Sequence, residues 1–228
     1  MENNKIPKIF HFIWITEDFM NERNNITTGH EIVINSFKKY NPAFDMTIWT
    51  NWRIQVLIDK LEDGLIKKML LGKKISLVQK TDILRMLILN EYGGIYSDLD
   101  VLCISSFEDL LNNDFFVGEE KSKDRTNMNA DSQVAHDMHY VNNTVMGSKP
   151  KSMVISKYLE LAPSTKNIFR ISYGPNLVEN TLSNCNKEHY TILSQDYFFI
   201  KNYFTELDAT LLTKNTKIVH FYQGTGKK

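Results

Sequence analysis

Apolar residues along this chain follow two alternating rhythms. Residues 8–15 (KIFHFIWI) are almost continuously bulky or β-branched, the pattern of a strand covered on both faces. A helical period follows over 30–40 and stops at the Asn41, Pro42 pair, because a residue before proline disfavours helical dihedrals. Residues 45–49 (DMTIW) read as a second strand, and 52–60 and 63–71 as short helices broken at Gly64 and Gly72. Ser76 followed by Gln79 is a capping-box signature that starts the next helix, with Leu77, Leu84, Leu87 and Ile88 as its buried stripe. Gly93 fits a left-handed cap, and a strand over 95–102 comes directly after. This alternation predicts an α/β architecture with a mainly parallel sheet.

Past residue 110 the rhythm loosens. Strands are expected at 115–118, 144–147 and 217–222, helices at 151–161 and 175–184, and a polar loop over 120–140. The aromatic-rich stretch 190–204 alternates with Asp, Lys and Asn, which suits core strands better than an interfacial helix. No internal repeat or low-complexity linker divides the chain, so residues 1–228 are read as one domain with an elaborated C-terminal third.

Charge and cysteine content narrow the function classes. Lys and Arg total 27 and Asp and Glu total 27, so no global basic field favours nucleic acid or acidic lipid. The two cysteines, Cys103 and Cys185, do not make a disulfide framework, and a reducing compartment is expected. The N-terminal apolar run is too short to span a bilayer and lacks the basic flank and cleavage site of a signal peptide. The expectation is a soluble, cytoplasmic protein without a membrane span.

Candidate chemistry concentrates in SLVQKTDILRMLILNEYGGIYSDLDVLC, residues 76–103. Asp98 and Asp100, two apart on an extended backbone, project from one face together with Tyr96. Like charges so placed repel unless something pairs with them, and hard carboxylate oxygens suit Mg²⁺ or Mn²⁺ with substrate phosphates as further ligands. Asp82 and Arg85, three apart on the preceding helix, make either a surface ion pair or a fork for sugar hydroxyls or phosphate. Spacing leaves both readings open. The cluster His136, Asp137, Met138, His139 lacks further ligands at zinc-site spacing and reads as a polar loop.

These residues carry a resemblance. TDILR followed by EYGGIYSDLD is similar to the core of the DXD-containing sugar transferases of glycosyltransferase family 32, which include initiating mannosyltransferases and capsular sugar transferases, and to a block in the large clostridial glucosylating toxins. IPKIFHFIW and NPAFDMTIW resemble the same group's first and second strands. The resemblance implies a GT-A fold, a nucleotide-sugar donor with UDP-hexose favoured over GDP-mannose, and a divalent metal, Mn²⁺ or Mg²⁺. It implies retention of anomeric configuration, a glycan or a protein- or lipid-linked acceptor, and a place in polysaccharide biosynthesis.

Residue by residue, the resemblance puts Trp14 on or beside the nucleotide base. Thr50 and Asn51 then face base and ribose, and Leu77 and Thr81 line the nucleotide pocket. Asp82 and Arg85 bind the donor sugar, with Tyr96 near the same ligand. Asp98 contacts ribose and metal, and Asp100 ligates the metal. YVNNTVMGSKP (140–150) resembles a segment with an asparagine beside the donor sugar, Asn143 or else Asn142. SYGP (172–175) resembles a turn near the acceptor, and HFYQGTGK (220–227) a closing segment in which His220 completes the metal shell and Lys227 touches the diphosphate. Gly226 stands where the family's commoner ending has tryptophan. Residues 1–110 then form the nucleotide-sugar half and 111–228 the acceptor-side half. A non-catalytic nucleotide-sugar-binding module on the same fold is the alternative. A glycosidase is disfavoured, since two carboxylates on one face cannot straddle a glycosidic bond.

Overall fold

The two sequence rhythms become the layers of one sheet sandwich. The computed structural model describes residues 5–20, 22, 24–120, 141–167, 171–198 and 209–220. Strand β1 (Ile9–Ile13) is followed by α1 (Thr28–Tyr40), β2 (Asp45–Trp49), α2 (Asn51–Asp59), α3 (Leu65–Leu71) and α4 (Leu77–Tyr92). Then come β3 (Gly94–Ser97), β4 (Val101–Cys103), β5 (Phe115–Glu119), β6 (Val141–Ser148), α5 (Met153–Leu161), α6 (Pro175–Ser183), β7 (Thr191–Leu193) and β8 (Ile218–His220). Six strands form the main sheet in the order β2-β1-β3-β6-β5-β7, and β4 pairs with β8 in a separate two-stranded ribbon. Only β6 runs against the rest of the main sheet. The expected mainly parallel sheet is therefore present.

Strand β1 shows why its sequence is continuously apolar. Phe10 and Phe12 pack with Val33, Ile34 and Phe37 of α1 on one face. Ile13 packs on the other face with the cluster that includes α4, α5 and α6. A strand between two helical layers has no solvent side, so alternation disappears. Helix α4 is enclosed in the same way. Ser76 caps it, accepting from the Gln79 backbone N–H while Gln79 Oε1 accepts from the Ser76 N–H, and residues 82–89 are all buried. Leu84, Leu87 and Ile88 are in the core, whereas Leu77 is half-buried.

Two details depart from the pattern-based reading. Gly93 has φ 62° and ψ −158°, a positive φ without the left-handed helical ψ of a usual cap. Space as well as φ selects the glycines here: a Cβ on Gly93 would lie 2.6 Å from Pro150 Cδ, and one on Gly94 (φ 95°) 2.6 Å from the Ile9 carbonyl oxygen. The expected strand over 95–102 is split. After Ser97 the Asp98 N–H still donates to the Thr144 carbonyl at 3.0 Å, then the chain bends through Leu99 and Asp100 and resumes as β4 beside β8. Asp98 and Asp100 thus do not share an extended strand face. A straight strand would set two like charges side by side, whereas the bend gives each its own partner.

Part of the 190–204 stretch forms β7 and a short 3-10 turn over Gln195–Tyr197, with Phe198 fully buried. Residues 199–204, the His136–His139 cluster and Lys227 lie outside the described residues. Among the described residues no helix is long and apolar enough to cross a membrane.

Candidate active site

Helix α4 carries two charged residues where its neighbours demand apolar ones. Asp82 and Arg85 are each 5% exposed, so they are not the surface ion pair that spacing also allowed. Arg85 Nη2 lies 3.2 Å from Asp82 Oδ1 and Nη1 lies 3.6 Å from Asp98 Oδ1. Nη1 also donates to the Asn143 carbonyl of β6, and the guanidinium carbon lies 4.5 Å from the centre of the Tyr96 ring. Burial opposes the charge, yet the Tyr96 oxygen, Asp98 and Asp82 together hold the guanidinium pKa above its ordinary value. The cation is therefore permanent. Its Nε has no hydrogen-bond partner among the described residues.

The remaining groups close around this cation. Asn143 Nδ2 donates to Asp82 Oδ1 at 2.8 Å, and the Tyr96 hydroxyl donates to Asp98 Oδ1 at 2.6 Å. Burial, and then the nearby Asp98, push the Tyr96 phenol well above its usual pKa, so it stays a proton donor. Asp82, Arg85, Tyr96, Asp98 and Asn143, drawn from one helix, two strands and a bend, are one network. Asn142 turns instead to Glu120, donating from Nδ2 to Oε2 at 2.6 Å, which separates the two asparagines left open by the sequence.

Asp100 stands in a second setting. Pairing of β4 with β8 puts Val101 opposite His220, and His220 Nε2 lies 3.1 Å from Asp100 Oδ1. The Asp98 and Asp100 side chains keep 31% and 23% of their surface exposed, in contrast with the sealed Asp82 and Arg85. Among the described residues no three or more His, Cys, Asp or Glu side chains are gathered closely enough to hold a metal ion by themselves. Carboxylate oxygens with an imidazole nearby are donor types that a divalent cation takes, with water and phosphate oxygens for the rest of its shell.

On the donor side the placements diverge. Trp14 is half-buried; its Nε1 donates to the Asn25 carbonyl at 3.1 Å and its ring lies 4.2 Å from that of His30. Thr50 caps α2 without a side-chain cap bond and borders a cavity of about 240 Å³ shared with Asn24, Asn25 and Trp52. Asn51 is fully buried: its Nδ2 donates to Thr16 Oγ1 and the Glu22 carbonyl, both at 2.8 Å, and its Oδ1 accepts from the Thr16 N–H. These bonds tie Thr16 and Glu22 to the start of α2 and engage the side chain that was expected to face base or ribose. Thr81 donates to the Leu77 carbonyl at 3.0 Å, and both are half-buried on the first turns of α4.

Sequence reasoning gave too small a part to the segment before α6. Gly174 has φ −89°, which any residue can adopt, but a Cβ there would lie 2.9 Å from Asp82 Oδ2 and 3.2 Å from Asn143 Nδ2. Close approach to the network requires glycine here. The Tyr158 hydroxyl of α5 donates to the Tyr173 carbonyl and lies 3.4 Å from the Asp82 carbonyl, fastening this segment to α4. The SYGP stretch was the only hint of Gly174, and nothing in the sequence marked Tyr158.

Comparison with known proteins agrees with this geometry. Residues 28–117 match the family described as glycosyltransferase sugar-binding region containing DXD motif. An uncharacterized glycosyltransferase of Acanthamoeba polyphaga mimivirus is 26% identical over 94% of this chain and 81% of its own length. Inositol phosphoceramide mannosyltransferase 1 of Schizosaccharomyces pombe is 26% identical over 51% of this chain, which spans only 34% of that protein. Among solved structures, the PaToxG glycosyltransferase superposes with TM-score 0.56 at 21% identity, covering 79% of this chain and 70% of its own. The fold is thus GT-A, residues 28–117 are a glycosyltransferase sugar-binding region containing a DXD motif, and the enzyme is a glycosyltransferase.

Proposed function

We propose that this enzyme transfers a hexose from a nucleoside-diphosphate sugar to a hydroxyl acceptor, with retention of anomeric configuration, in a site that takes a divalent metal. One observation supports this above the others: the buried cation Arg85, bridged to Asp82, Asn143 and Asp98, adjoins the exposed carboxylates of the DXD bend. Asp98 and Asp100, with His220 beside Asp100, would hold the metal, which supplies charge neutralisation on the leaving diphosphate, a term of several kcal/mol. Mn²⁺ suits the imidazole better than Mg²⁺ does.

The chain's own groups orient the sugar. Asp82 and Asn143 offer oxygen and amide atoms to its hydroxyls, and Arg85 Nε, buried and without a partner, is a donor that a sugar oxygen satisfies. Holding the anomeric carbon towards the acceptor turns an encounter into a positioned reaction. No side chain of this network stands out as a nucleophile, so same-face attack, with the departing phosphate taking the acceptor's proton, is the preferred course.

UDP-hexose is the favoured donor from the resemblance to the clostridial toxins and capsular sugar transferases, and the cleft of about 240 Å³ at Thr50, edged by Asn24 and Asn25, would take its base. GDP-mannose is the second reading, favoured by the mannosyltransferase among the relatives. Residues 1–110 would bind the donor, and 111–228, outside Asn143 and Lys227, the glycan or protein- or lipid-linked acceptor. Asp98→Asn and Asp100→Asn should each lower donor turnover about a hundredfold or more, the range seen when a group stabilising transition-state charge is removed. Full activity in either variant, or in excess chelator, would refute the metal-assisted reading. Binding of nucleotide sugar without any turnover would instead favour a non-catalytic module.

A further inference from the structure

Helix α2 has a second patterned face that the transfer site does not use. Arg53, Val56, Leu57 and Lys60 stand at i, i+3, i+4 and i+7, so they share one side, apolar in the middle with a cation at each end. The two cationic positions are about 10 Å apart along the axis at 1.5 Å per residue. This face stands beside β1 and β2 and lines an open cleft of about 290 Å³. Its other walls are aromatic: Trp49, Trp52 and Tyr92, with the Thr47 side chain beside them.

The aromatic wall is built rather than incidental. Trp49 Nε1 donates to His11 Nδ1 at 3.1 Å, and His11 Nε2 in turn bonds the Gly93 carbonyl at 2.8 Å, which fixes the indole from behind. Trp49 and Tyr92 rings lie 5.3 Å apart at 44°, forming an angled corner. Trp52 is 60% exposed and Tyr92 38%, so both rings present surface to solvent beside the fixed Trp49 indole. Neither the Arg53 guanidinium nor the Lys60 ammonium has an ion pair or hydrogen bond among the described residues.

The cleft adjoins the Thr50 cavity through Trp52 but lies at the other end of the strands from the DXD bend. Phe10 pairs with Ile95 and His11 with Tyr96, so Ile9 and Tyr92 mark the N-terminal end of β1 and β3, whereas Asp98 follows their C-terminal end. Only Trp52 is shared with the cavity at Thr50.

We propose that this cavity is a second saccharide site that takes one pyranose unit bearing a carboxylate or phosphate. A pyranose has an apolar C–H face that stacks on an aromatic ring, and polar edges that bond a hydroxyl such as that of Thr47. A cleft of about 290 Å³ has room for one such ring. The unpaired guanidinium and ammonium supply the anion selection, since Arg matches carboxylate and phosphate in a bidentate manner. The anionic unit comes either from a free sugar acid or sugar phosphate, or from a glycan chain held away from the reaction centre. Binding here requires none of Asp82, Arg85, Asp98 or Asp100, so the site stands whether or not the transfer reading does.

The three tryptophans make the test specific. The indole N–H resonances of ¹⁵N-labelled full chain are followed while glucuronate, glucose 6-phosphate, glucose, inorganic phosphate and a uronate oligosaccharide are titrated in turn. Glucuronate and glucose 6-phosphate should shift the Trp49 resonance and leave Trp14 in place, equally in wild type and Asp100→Asn. Arg53→Gln with Lys60→Gln should weaken this by about tenfold or more, as expected for loss of charge-assisted contacts. A tighter oligosaccharide than monomer supports the site with a glycan as its source, and the reverse order supports it with a free sugar anion. No shift at high millimolar ligand, equal response to neutral glucose, or the same response to inorganic phosphate, an adventitious ion only, would each overturn the proposal. So would loss of binding in Asp100→Asn.

Discussion

Replacing Arg85 with methionine tests the network at its centre. The guanidinium fills a buried space against Asp82 at 3.2 Å, Asp98 at 3.6 Å and the Tyr96 ring, and methionine keeps much of that volume without the charge. What is left behind sets the magnitude. The Asp82 side chain is 6% exposed and loses its cation outright, whereas that of Asp98 is 31% exposed and can turn to water. Stripping a partner from a buried ion pair costs about 3–5 kcal/mol, and with Asp98 largely relieved by solvent the lower end, about 3 kcal/mol, is expected. For a chain of this size that corresponds to a fall of about 6–12 °C in Tm.

A paired variant separates charge from shape. Asp82→Leu with Arg85→Met removes both charges, and the surviving penalty should shrink to about 1 kcal/mol, mostly from the Asn143 amide losing its acceptor. Calorimetric scans and urea titrations of the three proteins give the numbers. If Arg85→Met melts within about 2 °C of wild type, the cation is not compensating a buried carboxylate. If the double variant is as unstable as the single one, shape rather than charge holds this region. Donor hydrolysis should be lost in both, so activity and stability part company only in the double variant.

Two further outcomes follow from other residues. Burial pushes His11 down to about 4, below its ordinary 6.5, so between these values the unfolded chain takes up a proton that the native chain refuses. Its contribution is complete above pH 6.5 and is lost as pH falls towards 4, about 3 kcal/mol at most; urea unfolding at pH 7.5 and 4.5 should show His11→Gln with a shallower pH dependence than wild type, and equal slopes would refute the assignment. Gly174→Ala drives a methyl to within 2.9 Å of Asp82 Oδ2, and should lower donor turnover about tenfold or more and stability by about 1–3 kcal/mol in urea, with circular dichroism unchanged. An alanine variant of full activity would mean that Asp82 can retreat without consequence.

Local elements were legible because their causes are local. The capping box of Ser76 and Gln79 starts α4 where its residues say, and β2 covers the residues its pattern marks. The break at Asp98 was not legible, because extended residues that leave one sheet to join another have the same local pattern as residues that stay. The bonds of the Asn51 amide to Thr16 and Glu22 were not legible either, because those partners stand 35 and 29 positions earlier in the chain. Tyr158 and Gly174 gave no periodic signal, since their part depends on what faces them.

By itself, then, the sequence determined the alternation of strands and helices, the glycine pair that turns α4 into β3, and the identity of the charged residues in the TDILR and DXD blocks. Those follow from backbone preference and from one face or another being apolar. Tertiary structure alone decided that Asp82 and Arg85 are sealed and not solvated, that Asn143 rather than Asn142 meets them, and that His220 reaches Asp100. Burial and charge pairing depend on distances between segments far apart in the chain, and no local pattern encodes those distances.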